Sequence, residues 1–275
     1  MNQTINTLSL TLKITLQQRL DCTPLTPCKL ANLTQAEIAS ILLYYGKTQL
    51  RLDEVFELDF NQSAAISSIT FNNAHEKMDC IGANMNAGEI SIHGNAGNQL
   101  GFKMSAGKIT CLGNVAEFAG CGMIDGLINI HGNVGDFLGA ALIGERKGMR
   151  GGTIIIKGNA GNRVGDQMRR GLILIEGNAG DYCGSRMIAG TICVLGTLGQ
   201  YTAYSMRRGT LLLKNLPTLH ATVQDCGSHT LPYLSLLFKS FQRFETPFSQ
   251  LTSQRVQRYI ADLGASGNGE ILILK

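Results

Sequence analysis

Seven methionines, at positions 85, 104, 123, 149, 168, 187 and 206, fall nineteen residues apart except for one interval of twenty-six. A glycine three residues after each keeps the same period: Gly88, Gly107, Gly126, Gly152, Gly171, Gly190 and Gly209. This repeat constrains the fold more than any single motif. Nineteen residues hold one or two short strands and two turns, whereas a strand–helix–strand unit needs about thirty. The period therefore predicts a mainly β chain in which each unit is one coil of a parallel β-solenoid, stacked about 4.8 Å above the last.

Side-chain alternation predicts which residues face inward. One apolar ladder runs Ile90, Ile109, Ile128, Ile154, Ile173, Ile192, Leu211, and another runs Ile92, Cys111, Ile130, Ile156, Ile175, Val194, Leu213. Two residues apart on a strand, they share one face, the expected dry interior.

A strand that empties into a glycine-rich loop, as in MRGGTIIIKGNAGNRVGDQ (149–167), is also how phosphate cradles begin. A cradle is used once and opens a helix. Here Gly-Asn recurs at 94–95, 113–114, 132–133, 158–159 and 177–178, with no helix to open. The expected role is a corner, because glycine and asparagine tolerate positive φ. Stacked asparagines can also bond from coil to coil. A further glycine column, at 82, 101, 120, 165 and 184, suits close stacking.

The flanks lack the repeat. Residues 1–80 read as an N-terminal cap with a strand at 8–16, a helix opened by the capping box Thr34-Gln-Ala-Glu37, and an imperfect first coil at 66–71. Residues 81–214 carry the seven coils, with an insertion at 140–148, the kind of loop that makes contacts in solenoids. Residues 215–275 read as a C-terminal extension of two helices (233–244 and 251–263) and a last strand, so both flanks suit caps.

Composition adds a location. The eight cysteines form neither a C-x-x-C pair nor a zinc spacing, which fits buried thiols in a reducing compartment. With no secretory leader pattern and no apolar run of membrane-spanning length, a soluble cytoplasmic protein is expected, with no membrane and no nucleic-acid partner.

Charge is concentrated. Residues 141–214 carry eleven Lys/Arg against four Asp/Glu, a net of +7 in a chain of net +4. Arg150, Arg169 and Arg207 share the slot after the methionine, with Ile188 interrupting the row. Arg170 and Arg208 share the next slot, Arg186 precedes Met187, and Arg146 and Lys147 sit in the insertion. Guanidinium groups stacked about 5 Å apart repel unless an anion or acidic side chains bridge them. These eight residues are candidate anion contacts, or else a solvated basic edge paired with acids elsewhere.

The slot between the two ladders is polar early (Ser91, Thr110, Asn129) and apolar later (Ile155, Leu174, Cys193, Leu212). That stripe wants cover, either from the C-terminal helix bearing Phe238 and Phe241 or from another subunit. Ile155, Leu174, Leu212, Phe238 and Phe241 are thus interface candidates. No catalytic constellation is legible: Glu117, Asp125, Asp136 and Glu145 are scattered, and His93 and His131 lie two coils apart with Leu112 between. No catalytic residue and no metal ligand is expected.

The coils M-x-x-G-x-I-x-I-x-G-N-A-G resemble the glycine-rich β-solenoid of the formylmethanofuran dehydrogenase C subunit family, shared with the C-terminal domain of the large glutamate synthase subunit. Residues 144–192, with the flanks LTPCKLANLTQAEIASILLYYG and GNGEILIL, look closest to the bacterial branch, the gamma (C) subunit of formyltransferase/hydrolase complexes. The resemblance implies a right-handed parallel β-helix acting as a non-catalytic scaffold in a cytoplasmic heteromer. It implies amidohydrolase-like, formyltransferase and dehydrogenase-B-like partner subunits, which carry the metal-dependent hydrolysis and the formyl transfer. It implies a methanofuran-type carrier and tetrahydromethanopterin in the complex, serving formaldehyde oxidation to formate, with no cofactor bound directly by this chain. Such carriers bear glutamate-rich tails, which the basic edge would guide. In dehydrogenase versions, the alternative assignment, a molybdenum or tungsten pterin also sits on another subunit. An independent β-helix enzyme or binding module is the remaining alternative. Thr197 and Ala203 depart from the pattern, at a corner asparagine and a coil glycine.

Overall fold

The computed structural model describes residues 6–59 and 65–275; the parts of the expected N-terminal cap at 1–5 and 60–64 lie outside the described residues. Strand dominates, and the longest helix among the described residues is Tyr233–Phe241. Thirteen of the described strands form one sheet. Its middle follows the repeat: Ser68–Ala74, Glu89–Gly94, Lys108–Cys111, Leu127–Ile130, Arg150–Ile156, Arg170–Ile175, Thr191–Val194 and Arg208–Leu213 are consecutive neighbours. Every one of these pairs is parallel.

The register places Ile90 beside Ile109, Ile109 beside Ile128, and so on through Ile154, Ile173 and Ile192 to Leu211. The second line runs in the same way from Ile92 to Leu213, and both are buried. Both lines are longer than the repeat. Thr7–Leu12 adds Leu8 and Leu10 beside Ile69 and Phe71, and Asn268–Leu274 adds Ile271 and Ile273 beside Leu211 and Leu213. Each such side chain contributes about 1.5–3 kcal/mol on full burial. A second seam of single bridges links Ala96, Val115, Val134, Ala160, Ala179 and Leu198, so successive repeats touch at two places. The register holds through Thr197 and Ala203, the latter taking φ 63° where other repeats place glycine.

The Gly-Asn corners work differently from the expectation. Gly94 takes positive φ (129°) as expected, but Gly113, Gly132, Gly158 and Gly177 do not. They are glycine for lack of space: a Cβ on Gly113 would lie 2.3 Å from the Gly94 carbonyl oxygen, and one on Gly177 would lie 2.5 Å from that of Gly158. The asparagines supply the bonds across that close approach. Asn95 Oδ1 accepts the Asn114 N–H at 2.9 Å, Asn114 that of Asn133 at 2.8 Å, and Asn133 that of Asn159 at 2.8 Å. Asn159 and Asn178 continue the ladder to Asn178 and Thr197. Positive φ also marks two other columns, Gly82, Gly101, Gly120, Gly139, Gly165 and Gly184, and the glycines three residues after each methionine, Gly88 to Gly209.

The parallel stack ends in antiparallel strands. Phe56–Asp59 pairs with Thr7–Leu12 at one edge; at the other, Asn268–Leu274 pairs with Arg255–Ala261, and that strand with Gln224–Thr230. A small sheet of Leu20–Asp21, Leu42–Tyr45, Thr48–Arg51 and Met78–Asp79 lies in the N-terminal part. The capping box forms as expected, Thr34 Oγ1 accepting the Glu37 N–H and Glu37 the Thr34 N–H, although the helix is only Gln35–Ala39. The strand expected at 8–16 spans Thr7–Leu12.

One helix expectation is corrected: residues 251–263 contain the strand Arg255–Ala261. Its apolar spacing mimics a helix, but its β-branched and aromatic residues find ladder partners on both sides, and that pairing overrides the local period. Of the two covers expected for the apolar stripe, the structure shows the one from the same chain. Ile155, Leu174, Cys193 and Leu212 pack against Leu234, Phe238, Phe241, Phe248, Val256 and Leu272 in a second core of the same chain. The C-terminal segment thus covers the stripe.

Candidate functional site

The repeat places the residue after each methionine by a backbone bond from the preceding unit. Arg150 N–H donates to the Met123 carbonyl, Arg169 to Met149, Ile188 to Met168 and Arg207 to Met187, all between 2.7 and 2.9 Å. The residue before the methionine sits at left-handed φ in Gln167, Arg186 and Ser205. These two slots line a cavity of about 950 Å³. Its walls are the insertion (Gly144, Glu145, Arg146), three successive repeats (Gln167 and Arg169; Arg186 and Ile188; Ser205 and Arg207), and the turn bearing Ala265 and Ser266.

Of the eight basic candidates, the structure brings together Arg146, Arg169, Arg186 and Arg207. Lys147, Arg150, Arg170 and Arg208 are exposed and do not line the cavity. Arg150 keeps the backbone bond of its slot, yet the cavity is lined at that end by Gly144, Glu145 and Arg146 of the insertion and not by Arg150.

The four guanidinium groups are not equivalent. Arg186 is held by Asp166: its Nε donates to Asp166 Oδ1 at 2.8 Å, its Nη2 to Oδ2, and the Ser185 hydroxyl donates to Oδ1 at 2.9 Å. The hydrogen bond to Asp166 raises the Arg186 pKa above its ordinary value, against the lowering effect of burial. Arg169 Nη2 donates to the Arg146 carbonyl at 3.3 Å, while its Nε is buried without a hydrogen-bond partner. Arg146, Arg169 and Arg207 have no acidic partner among the described residues. The wall's one acid, Glu145, pairs with Lys103 at 3.1 Å. The cavity is therefore a cationic recess with three uncompensated charges.

Asp166 and the Ala265–Ser266 wall were not read from sequence. Asp166 carries a signal: its slot in other repeats holds Phe102, Cys121, Ala140 and Ser185, and an acid stands there once, one level below Arg186. Ser266 carries none, because it arrives from the non-repeating C-terminal turn, where its hydroxyl donates to the Arg207 carbonyl at 2.6 Å.

The remaining candidates stay apart. His93 Nδ1 contacts Asn72 Oδ1 at 3.0 Å, and His131 Nε2 contacts Asn129 at 3.5 Å. Burial, then Lys157, lowers the His131 pKa. Among the described residues no group of three His, Cys, Asp or Glu is placed to hold a metal ion, and no helix is long and apolar enough to cross a membrane.

A mainly β chain of stacked parallel strands with glycine at each close approach defines the class, and residues 50–230 match the model of the GXGXG motif family. The chain belongs to that family, in the branch formed by the formylmethanofuran dehydrogenase C subunit and its formyltransferase/hydrolase counterpart. It is 31% identical over 97 residues to the C subunit of the tungsten-containing formylmethanofuran dehydrogenase 2 of Methanococcus maripaludis, 35% of each chain. It is 37% identical over 92 residues to the Fhc C subunit of the formyltransferase/hydrolase complex of Methylorubrum extorquens, 34% of each chain. The aligned segments thus span about a third of these curated relatives. Superposition reaches further. A chain in the crystal structure of the formyltransferase/hydrolase complex FhcABCD from Methylorubrum extorquens, in complex with methylofuran, matches with a TM-score of 0.91 and 36% identity. That match covers 97% of this chain and 99% of the other.

Proposed function

We propose that this chain is the structural C subunit of a heteromeric formyltransferase/hydrolase complex, and that its stack is a right-handed parallel β-helix occupying residues 81–214 between flanking caps. The observation that carries the reading is the end-to-end superposition on a chain of FhcABCD at 36% identity. In this reading the chain makes no bond to the reacting formyl group. It holds amidohydrolase-like, formyltransferase and dehydrogenase-B-like subunits in register in the cytoplasm, and the complex passes formyl groups between a furan carrier and tetrahydromethanopterin during formaldehyde oxidation to formate. The basic residues around Arg169 and Arg207 face the carrier's anionic tail.

A scaffold has physical support in the way the chain spends its sequence. Each repeat is committed to stacking at the ladders, the asparagine corners and the glycine column, and the apolar stripe is consumed by the chain's own C-terminal segment. The outward polar surfaces and the insertion are left for contacts.

Purification of the tagged protein from its native host tests the reading. Stoichiometric co-purification of formyltransferase and amidohydrolase subunits is expected; a stable monomer with none of them overturns it. The second reading, the C subunit of a tungsten or molybdenum formylmethanofuran dehydrogenase, is favoured by the similarity to the Methanococcus maripaludis proteins. Metal analysis of the same preparation separates the two, because only the dehydrogenase carries tungsten or molybdenum.

A further inference from the structure

We infer that a ladder of aromatic rings on one side of the stack is the docking face for a basic segment of another protein subunit. The inference rests on the subunit reading above and adds the face, and the chemistry, by which such a subunit is held.

One slot of five successive repeats holds Phe118, Phe137, Arg163, Tyr182 and Tyr201. Phe118 and Phe137 stack with ring centroids 4.6 Å apart, and Tyr182 and Tyr201 with centroids 4.9 Å apart. The Arg163 guanidinium lies 4.6 Å from the Tyr182 centroid. All five residues take left-handed φ, between 57° and 65°. Glycine or asparagine fills such a position with less strain, yet the chain commits it to large side chains that remain partly or fully exposed. Four steps of the stack carry the ladder over about 19 Å, the length of about thirteen residues of helix. Tyrosine, phenylalanine and arginine are the residues that interface centres favour.

Charge selects the partner. The residue before each rung is an acid or an amide: Glu117, Asp136, Asn162, Asp181 and Gln200. None of the three carboxylates pairs with a basic side chain among the described residues. Asp136 and Asp181 each give one oxygen to the N–H of the next repeat, at 2.7 Å, which leaves their charge uncompensated. Bare carboxylates beside exposed rings complement Arg and Lys, whose charged heads meet the acids while their stems or guanidinium planes cover the rings.

The ladder also shows how a cation is taken and where room is left for one. Tyr201 is the last rung: one face lies on Tyr182, and no ring or cation stacks on the other among the described residues. Tyr204 stands at 83° to Tyr201, with centroids 6.5 Å apart, and forms a side wall. Tyr201 and Tyr204 are 46% and 49% exposed. A guanidinium from a partner completes the stack on Tyr201 as Arg163 does on Tyr182.

Purification of the tagged full chain from its native host, carried as the sole copy, tests the inference through the partner subunits recovered. Tyr201→Asn removes the last ring but tolerates left-handed φ, and Glu117→Lys reverses an exposed charge that has no ion-pair partner among the described residues. Each is expected to lower recovery by at least about fivefold while the circular dichroism spectrum stays native. Tyr201→Phe, which keeps the stack, and Leu236→Ser, at an exposed position of the helix Tyr233–Phe241, should recover partners as the wild type does. Wild-type recovery from both Tyr201→Asn and Glu117→Lys, or an equal loss at Leu236→Ser, overturns the docking face and leaves the subunit reading standing. Loss at only one of the two ladder variants separates ring from charge and overturns the basic partner. A wild-type chain that brings down no partner overturns the subunit reading, and the docking face with it.

Discussion

Asp166 and Arg186 form a side-on ion pair between successive repeats, the carboxylate 3% exposed and the guanidinium half-exposed. The same aspartate accepts the Ser185 hydroxyl through its side chain and the Ala141 N–H through its backbone, so one residue fixes a cavity arginine and the root of the insertion.

Asp166→Asn should therefore do two things. Loss of the charge-assisted bonds is expected to lower the unfolding free energy by about 1–2 kcal/mol, discounted because Arg186 keeps access to water. The insertion should loosen, read as faster amide exchange at Ala141 and Gly148, whose N–H groups donate to the Asp166 and Gln167 carbonyls. Unchanged exchange there would show that the aspartate serves the arginine alone.

A corner glycine and a glycine of the insertion give a contrast between space and backbone conformation. Gly113 lacks positive φ, but an added Cβ would lie 2.3 Å from one backbone oxygen; Gly144 has φ 89° and nothing within 4 Å. Gly113→Ala is expected to cost about 2–3 kcal/mol through overpacking, and Gly144→Ala about 1 kcal/mol from left-handed φ alone. Urea denaturation of the two variants reads the order. A loss at Gly113→Ala no larger than that at Gly144→Ala would overturn the argument that close backbone approach demands glycine at the corner.

That contrast marks how much of the molecule the sequence displays. The ladders were legible because a strict period and an inward apolar pair admit one stacking, and the register from Ile90 to Leu211 follows it. The asparagine bonds were legible too, but the reason for their glycines was not, since close approach of two backbones leaves no mark on local composition. Outside the repeat the signal weakens. Arg255–Ala261 has apolar residues at helical spacing and becomes a strand only because the end of a sheet is there to receive it. At the candidate site the arginines stood out by slot, yet which of them converge depended on where the insertion folds and on the return of Ser266.

The thiols should separate into two classes. Cys22, Cys111, Cys121, Cys183 and Cys193 are buried, and burial pushes Cys111 up to about 11 and Cys121 and Cys183 up to about 12. Cys28, Cys80 and Cys226 are partly exposed. Burial raises the Cys28 thiol, but hydrogen bonds from Thr26 and from the backbone at Asn86, Cys28 and Lys29 outweigh it, so its pKa falls below the ordinary value. Burial raises that of Cys80. Because the thiolate is the reactive form, a thiol reagent applied to the native chain should label Cys28 ahead of Cys80 and spare the five buried cysteines until denaturant is added. Mass spectrometry of labelled peptides checks the order, and early modification of Cys183 or Cys193 would contradict the packed interior.

Asp262 sets an acid limit on the C-terminal end of the stack. The residue is 4% exposed, and its carboxylate accepts the Ser205 N–H and the Gly264 N–H, each at 2.8 Å. Burial pushes its pKa up, but the Thr222 side chain, those two N–H donors and His220 pull harder, and the folded value lies below the ordinary one. A depressed folded pKa means the folded state holds the charged form more tightly than the unfolded chain does. The resulting stability is complete above the unfolded aspartate value of about 4 and disappears as pH falls through the folded value. Denaturant midpoints should therefore drop on acidification below about pH 4, and Asp262→Asn should be less stable at neutral pH with a shallower acid slope. An identical slope in the variant would place the acid sensitivity in other carboxylates and leave Asp262 a hydrogen-bond acceptor only.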